Sequence, residues 1–202
     1  MSRKWTVAIA FGVAAGVATE AASRFIALVF PDRPTAPDLL YDWLPHTPAA
    51  SYLTLIAITA MLALFFAHAL RTAPDRLPEY LCVFALMYLL RAPMLVLTPL
   101  AAARDGSAIP FPLFVNTLFP SGHTALGLLL VLLTDAGRAS RLRAVLAALL
   151  CVVIVTMLFS RGHYSIDIVG GLLLGYFVSR EWADGQLFGP LRRAVAPEPT
   201  SE

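Results

Sequence analysis

The sequence has few charged residues, a single lysine and only two cysteines. Charged residues make up 14% of the 202 residues, against about 25% in ordinary soluble domains. This scarcity excludes a disordered protein, and a hydrophobic content of 58% argues against a soluble globular enzyme. The formal net charge of +2 is too small to indicate a nucleic-acid partner. Cys82 and Cys151 have no metal-ligand spacing, so we interpret both as small buried hydrophobic residues.

Apolar runs take up most of the chain. A transmembrane helix needs about 20 mostly apolar residues, and six stretches reach or approach that length. They are residues 5–30, 51–70, 77–100, 121–134, 142–159 and 166–178. The sequence therefore predicts an all-α, polytopic membrane protein with a six-helix transmembrane bundle in residues 1–183. Residues 184–202 are expected to form a flexible cytoplasmic tail.

The first apolar run has two interpretations. Basic residues before it and small residues near Ala22 are also typical of a cleaved signal peptide. Hydrophobicity resumes at once from Phe25 to Phe30, which favours an uncleaved helix. The orientation of the later spans is the same in either case.

The basic residues orient the six predicted spans. With both termini in the cytoplasm, ten of the 15 basic residues lie inside and only Arg33, Arg104 and Arg161 lie outside. The ten are Arg3, Lys4, Arg71, Arg76, Arg138, Arg141, Arg143, Arg180, Arg192 and Arg193. This asymmetry follows the positive-inside rule. It predicts extracytoplasmic loops at 31–50, 101–120 and 160–165. The excess of Arg over Lys, with abundant Ala, suggests a bacterial inner membrane.

The four histidines separate by side of the membrane. Spans four and five form a down-and-up hairpin, so His123 and His163 return to the same outer face. His68 lies near the cytoplasmic end of span two, roughly 30 Å away across the bilayer. His46, flanked by prolines, is read as an outer-loop residue. The sequence therefore predicts one site that contains His123 and His163.

The string Pro120-Ser121-Gly122-His123 marks the start of span four. Ser is a favourable N-cap residue, and Pro and Gly are typical of a turn. A helix N-terminus offers amide donors and the positive end of the helix dipole, which suit a phosphate oxygen. We therefore expect Ser121 and Gly122 to bind phosphate and His123 to transfer a proton. The alternative is a capped helix start with an interfacial histidine.

A second polar string spans residues 160–167. His163 and Asp167 are spaced i, i+4, so they share one face of a helix. A carboxylate there can accept the proton of one imidazole nitrogen, which leaves the other nitrogen as a nucleophile or base. Arg161 offers a planar fork of donors to phosphate oxygens. The alternative is a surface ion pair at a helix start.

These two strings resemble the type-2 phosphatidate phosphatase-like superfamily of membrane enzymes. Its signatures include Pro-Ser-Gly-His and a later element with Arg, His and Asp. In this chain Arg161 lies two residues before His163, and residues 163–167 read His-Tyr-Ser-Ile-Asp. That spacing and that string are similar to the sphingomyelin synthase-like branch.

Two further elements are similar to the same branch. They are Pro37-Asp38, and Tyr88-Leu89-Leu90-Arg91 in the third span. The resemblance covers roughly residues 35–180. Arg91 is an intramembrane charge, and such charges usually mark function. We therefore add Arg91 to the expected phosphate-binding residues.

The resemblance implies a His–His–Asp triad. His163 would attack a lipid phosphate and form a phosphohistidine, Asp167 would orient it, and His123 would transfer protons. The implied enzyme is a phosphotransferase that moves a phospho-headgroup from a membrane phospholipid to a ceramide- or diacylglycerol-type alcohol. The alternative is a lipid phosphate phosphatase or phospholipase C-like hydrolase that uses water as acceptor. No metal or cofactor is implied.

Two other classes stay open at this point. Two histidines and one carboxylate could hold a metal ion in a 2-His-1-carboxylate site. Intramembrane charges, including the i, i+4 pair Glu20 and Arg24, also occur in transporters. A transporter would tolerate the loss of His163 as a partial defect, whereas the enzyme would not.

Overall fold

The computed structural model describes residues 2–102 and 118–196, and in these ranges all regular structure is helical. Arg104 of the predicted topology and residues 197–202 of the predicted tail lie outside the described residues. The helices are α1 (Arg3–Val29), α2 (Leu39–Trp43), α3 (Ala50–Thr72), α4 (Leu77–Leu97), α5 (Gly122–Leu133), α6 (Ser140–Phe159), α7 (Ser165–Asp184) and α8 (Gly189–Val195). A 3-10 turn, Pro74–Arg76, leads into α4.

Helices lie at all six predicted spans, and within residues 2–102 and 118–196 four of them are long and apolar enough to cross a membrane. These are Arg3–Val29, Ala50–Thr72, Pro74–Leu97 and Ser140–Phe159. α5 has 12 residues, fewer than the roughly 20 that a full span needs. α7 has 20 residues but carries Asp167 near its start and further charged residues near its end. The six-span prediction is thus supported for four helices.

The long helices pack in pairs. α1 lies along α4, α3 along α6, and α5 along α7, with α5 also against α6. Between them is a core of fully buried apolar side chains, among them Met61, Val83, Leu129, Leu146 and Val153. The outer faces are apolar too: Val13, Val17, Ile56 and Leu173 are each more than half exposed. An outer surface of this kind is typical of helices that contact lipid.

The contact between α5 and α7 is close because α7 has glycines on the contact face. A Cβ at Gly171 would overlap Thr124 Oγ1 and the backbone oxygen of Ser121. A Cβ at Gly175 would lie 2.7 Å from the backbone oxygen of Ala125. Small residues let helix backbones approach in this way. The backbone of α7 therefore packs directly against the first turns of α5.

Two expectations differ from the structure. α8 lies inside the segment expected to be flexible, and it packs against α1 and α4 with Val195 fully buried. Cys82 is buried as expected, but Cys151 is exposed. The prediction for Cys151 was wrong because α6 is apolar on all sides. Its sequence pattern therefore does not show which face points inward.

Candidate active site

The second polar string forms a buried histidine–carboxylate pair. His163 Nδ1 lies 3.3 Å from Asp167 Oδ2, and the same oxygen accepts a hydrogen bond of 3.0 Å from the Tyr164 amide. Asp167 is fully buried and His163 is 8% exposed. The backbone geometry explains the pairing: Tyr164 is the N-cap of α7, and Asp167 lies in its first turn. The carboxylate thus binds Nδ1 and leaves Nε2 of His163 available for chemistry.

His123 lies beside this pair. The rings of His123 and His163 are 5.8 Å apart between centroids, in an edge-to-face arrangement with an interplanar angle of 71°. His123 stands in the first turn of α5 and is exposed, while His163 is buried. The structure therefore brings together the two histidines that the predicted topology placed on one face.

Backbone hydrogen bonds join the two histidine strings. The Ser121 amide donates to the backbone oxygen of Asp167 at 2.9 Å. The Thr124 hydroxyl donates to the backbone oxygens of Ser121 at 3.2 Å and of Ile168 at 3.4 Å. Each histidine therefore sits on a helix start that is bonded directly to the other helix start.

Ser121 has a structural task in this arrangement. Its side chain accepts from the Thr124 amide at 3.4 Å, as expected of the N-cap of α5, and the residue is fully buried. Because the Ser121 amide is bonded to Asp167, that amide is not open to a ligand. This differs from the expected phosphate contact. The next two amides at the start of α5 belong to Gly122 and His123. Within the described residues, neither of these amides donates a hydrogen bond.

Arg91 supports the same turn from α4. It is 4% exposed, and its Nε donates to the backbone oxygen of Pro120 at 2.6 Å. A Cβ at Gly122 would lie 3.3 Å from Arg91 Cζ and 3.4 Å from Tyr88 Cε1. The guanidinium thus packs beneath the Pro-Ser-Gly-His turn. The structure shows Arg91 as a residue that holds this turn in place.

Arg161 joins the histidine string to α2. Its Nη2 donates to the backbone oxygen of Tyr41 at 3.1 Å, and its guanidinium lies 5.5 Å from the centroid of the Tyr41 ring. Arg161 has a φ of 51°, in the left-handed region that few non-glycine residues adopt. This backbone conformation belongs to the short turn between α6 and α7.

Asp38 lies next to the candidate site. The sequence showed its Pro-Asp motif but did not show which groups its carboxylate binds. One carboxylate oxygen accepts from the Leu40 amide at 3.0 Å and caps α2. The other accepts from the Ser165 amide at 2.5 Å, at the start of α7. A single buried carboxylate therefore ties α2 to the helix that carries Asp167. In the sequence, the resemblance at Pro37-Asp38 was the feature that could have indicated this role.

Two tyrosines complete the surroundings. The rings of Tyr41 and Tyr164 have centroids 5.6 Å apart. Burial, followed by the negative charge of Asp38, raises the pKa of Tyr41 well above its ordinary value. Burial likewise raises the pKa of Tyr164. Both hydroxyls therefore keep their protons at neutral pH.

The remaining candidates lie elsewhere or form no cluster. His68 lies toward the end of α3 that is remote from Ala50, so it is distant from the histidine pair. Glu20 and Arg24 form an ion pair of 2.7 Å on α1, with Arg24 largely exposed. Within residues 2–102 and 118–196, no three His, Cys, Asp or Glu side chains are grouped so that they could hold a metal ion.

Comparison with known protein families gives a match over the segment that carries both histidines. Residues 117–183 match the family model described as PAP2 superfamily C-terminal, while no curated protein matches the chain. The matched segment is about a third of the sequence and contains the whole of α5, α6 and all but the last residue of α7. It supports the resemblance to type-2 phosphatidate phosphatase-like enzymes and a lipid phosphatase or phosphotransferase type of activity. Over the segment that carries both histidines, the chain is thus similar to the C-terminal part of the PAP2 superfamily.

Proposed function

We propose that this protein is an integral membrane phosphotransferase of the sphingomyelin synthase-like kind. It would move a phospho-headgroup from a phospholipid to a lipid alcohol of the ceramide or diacylglycerol type. The observation that carries the proposal is the pair of histidines, 5.8 Å apart, of which one has Nδ1 bound to a buried carboxylate. This is the arrangement that a nucleophile and a proton donor need.

In the first step, the Nε2 lone pair of His163 attacks the phosphorus of the donor lipid. A P–N bond forms, and the P–O bond to the glycerol backbone breaks. His123, in its protonated form, gives its proton to the departing glycerol oxygen, so that a neutral diacylglycerol leaves. Asp167 stabilises the positive charge that develops on the imidazole of His163.

The second step reverses these roles. His123, now neutral, takes the proton from the acceptor hydroxyl as the oxygen attacks the phosphohistidine. The new P–O bond forms, the P–N bond breaks, and His163 returns to its starting state. The overall reaction exchanges one lipid alcohol for another and consumes no water.

The start of α5 and Arg161 would hold the phosphoryl oxygens. The Gly122 and His123 amides lie at the positive end of the helix dipole, where an anion is stabilised. Arg161 adds a guanidinium two residues before His163. Ser121 and Arg91 would act through the geometry of the turn rather than by direct contact with phosphate.

The location of the site supports a lipid acceptor. Ile166 and Val169, which lie near Asp167 on α7, are 55% and 49% exposed, so the site lies beside an apolar surface that is suited to contact with lipid. A membrane alcohol can approach from this side. The distribution of basic residues supports a site on the extracytoplasmic face and cytoplasmic termini, and the excess of Arg over Lys with abundant Ala supports a bacterial inner membrane. We propose a membrane domain at 1–183 with the remaining residues as a cytoplasmic extension.

The decisive experiment measures acceptor dependence. Purified protein in mixed micelles receives headgroup-labelled phospholipid (choline, ethanolamine or glycerol type) with and without ceramide or diacylglycerol. We expect label to appear on the acceptor lipid, and activity to persist with a chelator. Release of water-soluble phospho-headgroup or phosphate at the same rate with or without acceptor would instead establish a hydrolase. Loss of activity with the chelator and recovery with a metal ion would establish metal chemistry.

A further inference from the structure

The Tyr41 hydroxyl is a buried polar group beside Arg161 and Tyr164, the residues on either side of Gly162 and His163 in the sequence. Its oxygen is inaccessible to solvent, and no hydrogen-bond partner is found for it among the described residues. The ring is held in place by Tyr164, with centroids 5.6 Å apart, and by the Arg161 guanidinium at 5.5 Å. Buried polar groups nearly always have partners, so an exception at a candidate site needs an explanation, and a bound substrate oxygen is one that fits a proposed phosphate site.

The neighbouring Tyr164 shows that this region can provide partners for a phenol. Its hydroxyl donates to the backbone oxygen of Ala101 at 3.0 Å and accepts from the Ala36 amide at 3.2 Å. Tyr164 is therefore fully bonded within the protein. The two tyrosine rings pack together at an interplanar angle of 31°. Tyr164 has hydrogen-bond partners for its hydroxyl, whereas none is found for that of Tyr41 among the described residues.

The position of Tyr41 is fixed relative to His163. α2 is attached to the start of α7 through the bond between Asp38 and the Ser165 amide, 2.5 Å long. It is also attached to the turn before His163 through the bond from Arg161 to the Tyr41 backbone oxygen, 3.1 Å long. Burial and the nearby carboxylates raise the pKa of Tyr41, so the hydroxyl stays protonated and can donate.

We propose that Tyr41 is a substrate-binding residue whose hydroxyl donates a hydrogen bond to a non-bridging phosphoryl oxygen of the donor lipid at His163. This inference rests on the proposed function and names a further residue for it. A phosphodiester has two non-bridging oxygens, on which negative charge is concentrated as phosphorus becomes five-coordinate. Arg161 binds one and Tyr41 the other. A pre-positioned donor of this kind acts most strongly in the transition state.

The test is Tyr41→Phe, which removes the hydroxyl and keeps the ring contacts with Tyr164 and Arg161. We expect kcat/KM for headgroup transfer to fall by about 10²-fold. Orthovanadate, which becomes five-coordinate when a nucleophile such as an imidazole nitrogen binds it, should bind more weakly by a similar factor in calorimetry. The thermal unfolding temperature in detergent should stay the same or rise, because the variant no longer buries an unpaired hydroxyl.

Two matched variants serve as controls. Tyr52→Phe, at a residue that is 54% exposed on α3, should change none of the three measurements. Tyr164→Phe removes a bonded hydroxyl and should lower the unfolding temperature. Wild-type kcat/KM and vanadate affinity in an active Tyr41→Phe protein would overturn the inference and leave the proposed function standing. An inactive wild type would contradict the proposed function, while the vanadate comparison would still decide the role of Tyr41.

Discussion

Two buried carboxylates at opposite ends of the bundle differ in how completely they are bonded. Glu79, in the first turn of α4, accepts from Arg76 Nε at 2.9 Å, from Arg76 Nη2 at 3.2 Å and from Trp182 Nε1 at 3.0 Å. Both of its oxygens are used. Asp167 uses Oδ2 for His163 and Tyr164, but no partner is found for Oδ1 among the described residues.

This difference separates a structural cluster from the one that we propose to be functional. Asp167 and Trp182 lie on the same helix, about 22 Å apart at 1.5 Å per residue, so α7 has one cluster near each end. The Glu79 cluster is complete without any ligand and joins α4 to α7. The Asp167 cluster keeps unpaired polar atoms on Tyr41 and Asp167, which reduces stability unless another molecule completes the bonding.

Of all substitutions at the two clusters, His163→Gln is expected to have the largest effect on turnover. Loss of the nucleophile should lower turnover by about 10⁴- to 10⁶-fold and abolish the acid-labile phosphoprotein. Turnover and trapped phosphoprotein would be measured with labelled phospholipid. His68→Gln, remote from the site on α3, is the matched control and should retain both. Residual turnover above a tenth of wild type would contradict the assigned nucleophile.

The next effect is expected from His123→Gln. Without the proton donor, transfer from a natural phospholipid should slow by about 10²- to 10⁴-fold. A nitrophenyl ester of the same headgroup phosphate has a leaving group that needs no proton, so its reaction should slow much less. Comparing the two donors in the variant measures the acid role. An equal loss with both donors would show that His123 acts in another way.

A smaller effect is expected where α5 and α7 touch. In Gly171→Ala, the new Cβ would overlap Thr124 and Ser121, and such overpacking costs about 1–3 kcal/mol. The unfolding temperature and turnover should therefore fall together. The control is Gly16→Ala on α1, where a Cβ would meet nothing within 4 Å. Equal unfolding temperatures for the two variants would argue against a close α5–α7 contact.

The smallest effect is expected from Glu79→Gln at the complete cluster. Weakening its charged hydrogen bonds to Arg76 should lower the free energy of unfolding by about 1 kcal/mol. Turnover of the folded protein should stay at the wild-type value, because the cluster is remote from the histidines. Denaturation in detergent measures the expected loss of stability, and the transfer assay measures whether turnover is unchanged. A change in kcat with unaltered stability would assign Glu79 to function.

Local patterns predicted much of this site. The i, i+4 spacing of His163 and Asp167 and the N-cap role of Ser121 depend only on neighbouring residues, and the structure has both. The proximity of His123 and His163 followed from counting apolar runs. The local inferences succeed because helix geometry fixes which neighbouring residues share a face.

The contacts of α2 were beyond the reach of the sequence. Asp38 meets Ser165 across 127 positions, and Tyr41 meets Arg161 across 120. α2 has five residues, too few to show a helical period. The ligand role expected for the Ser121 amide failed for a similar reason, because the Asp167 oxygen that occupies it comes from another helix. Only tertiary packing decides such contacts.

The glycines of α7 have a consequence for how the chain tolerates change. At Gly171 and Gly175 the helices touch through main-chain atoms that every variant of the sequence retains. The spacing of the two histidines is therefore set by backbone, and replacements in the surrounding apolar core alter stability before they alter that spacing. Replacements on the exposed apolar faces of the helices can therefore change which lipids the protein contacts without moving the two histidines apart.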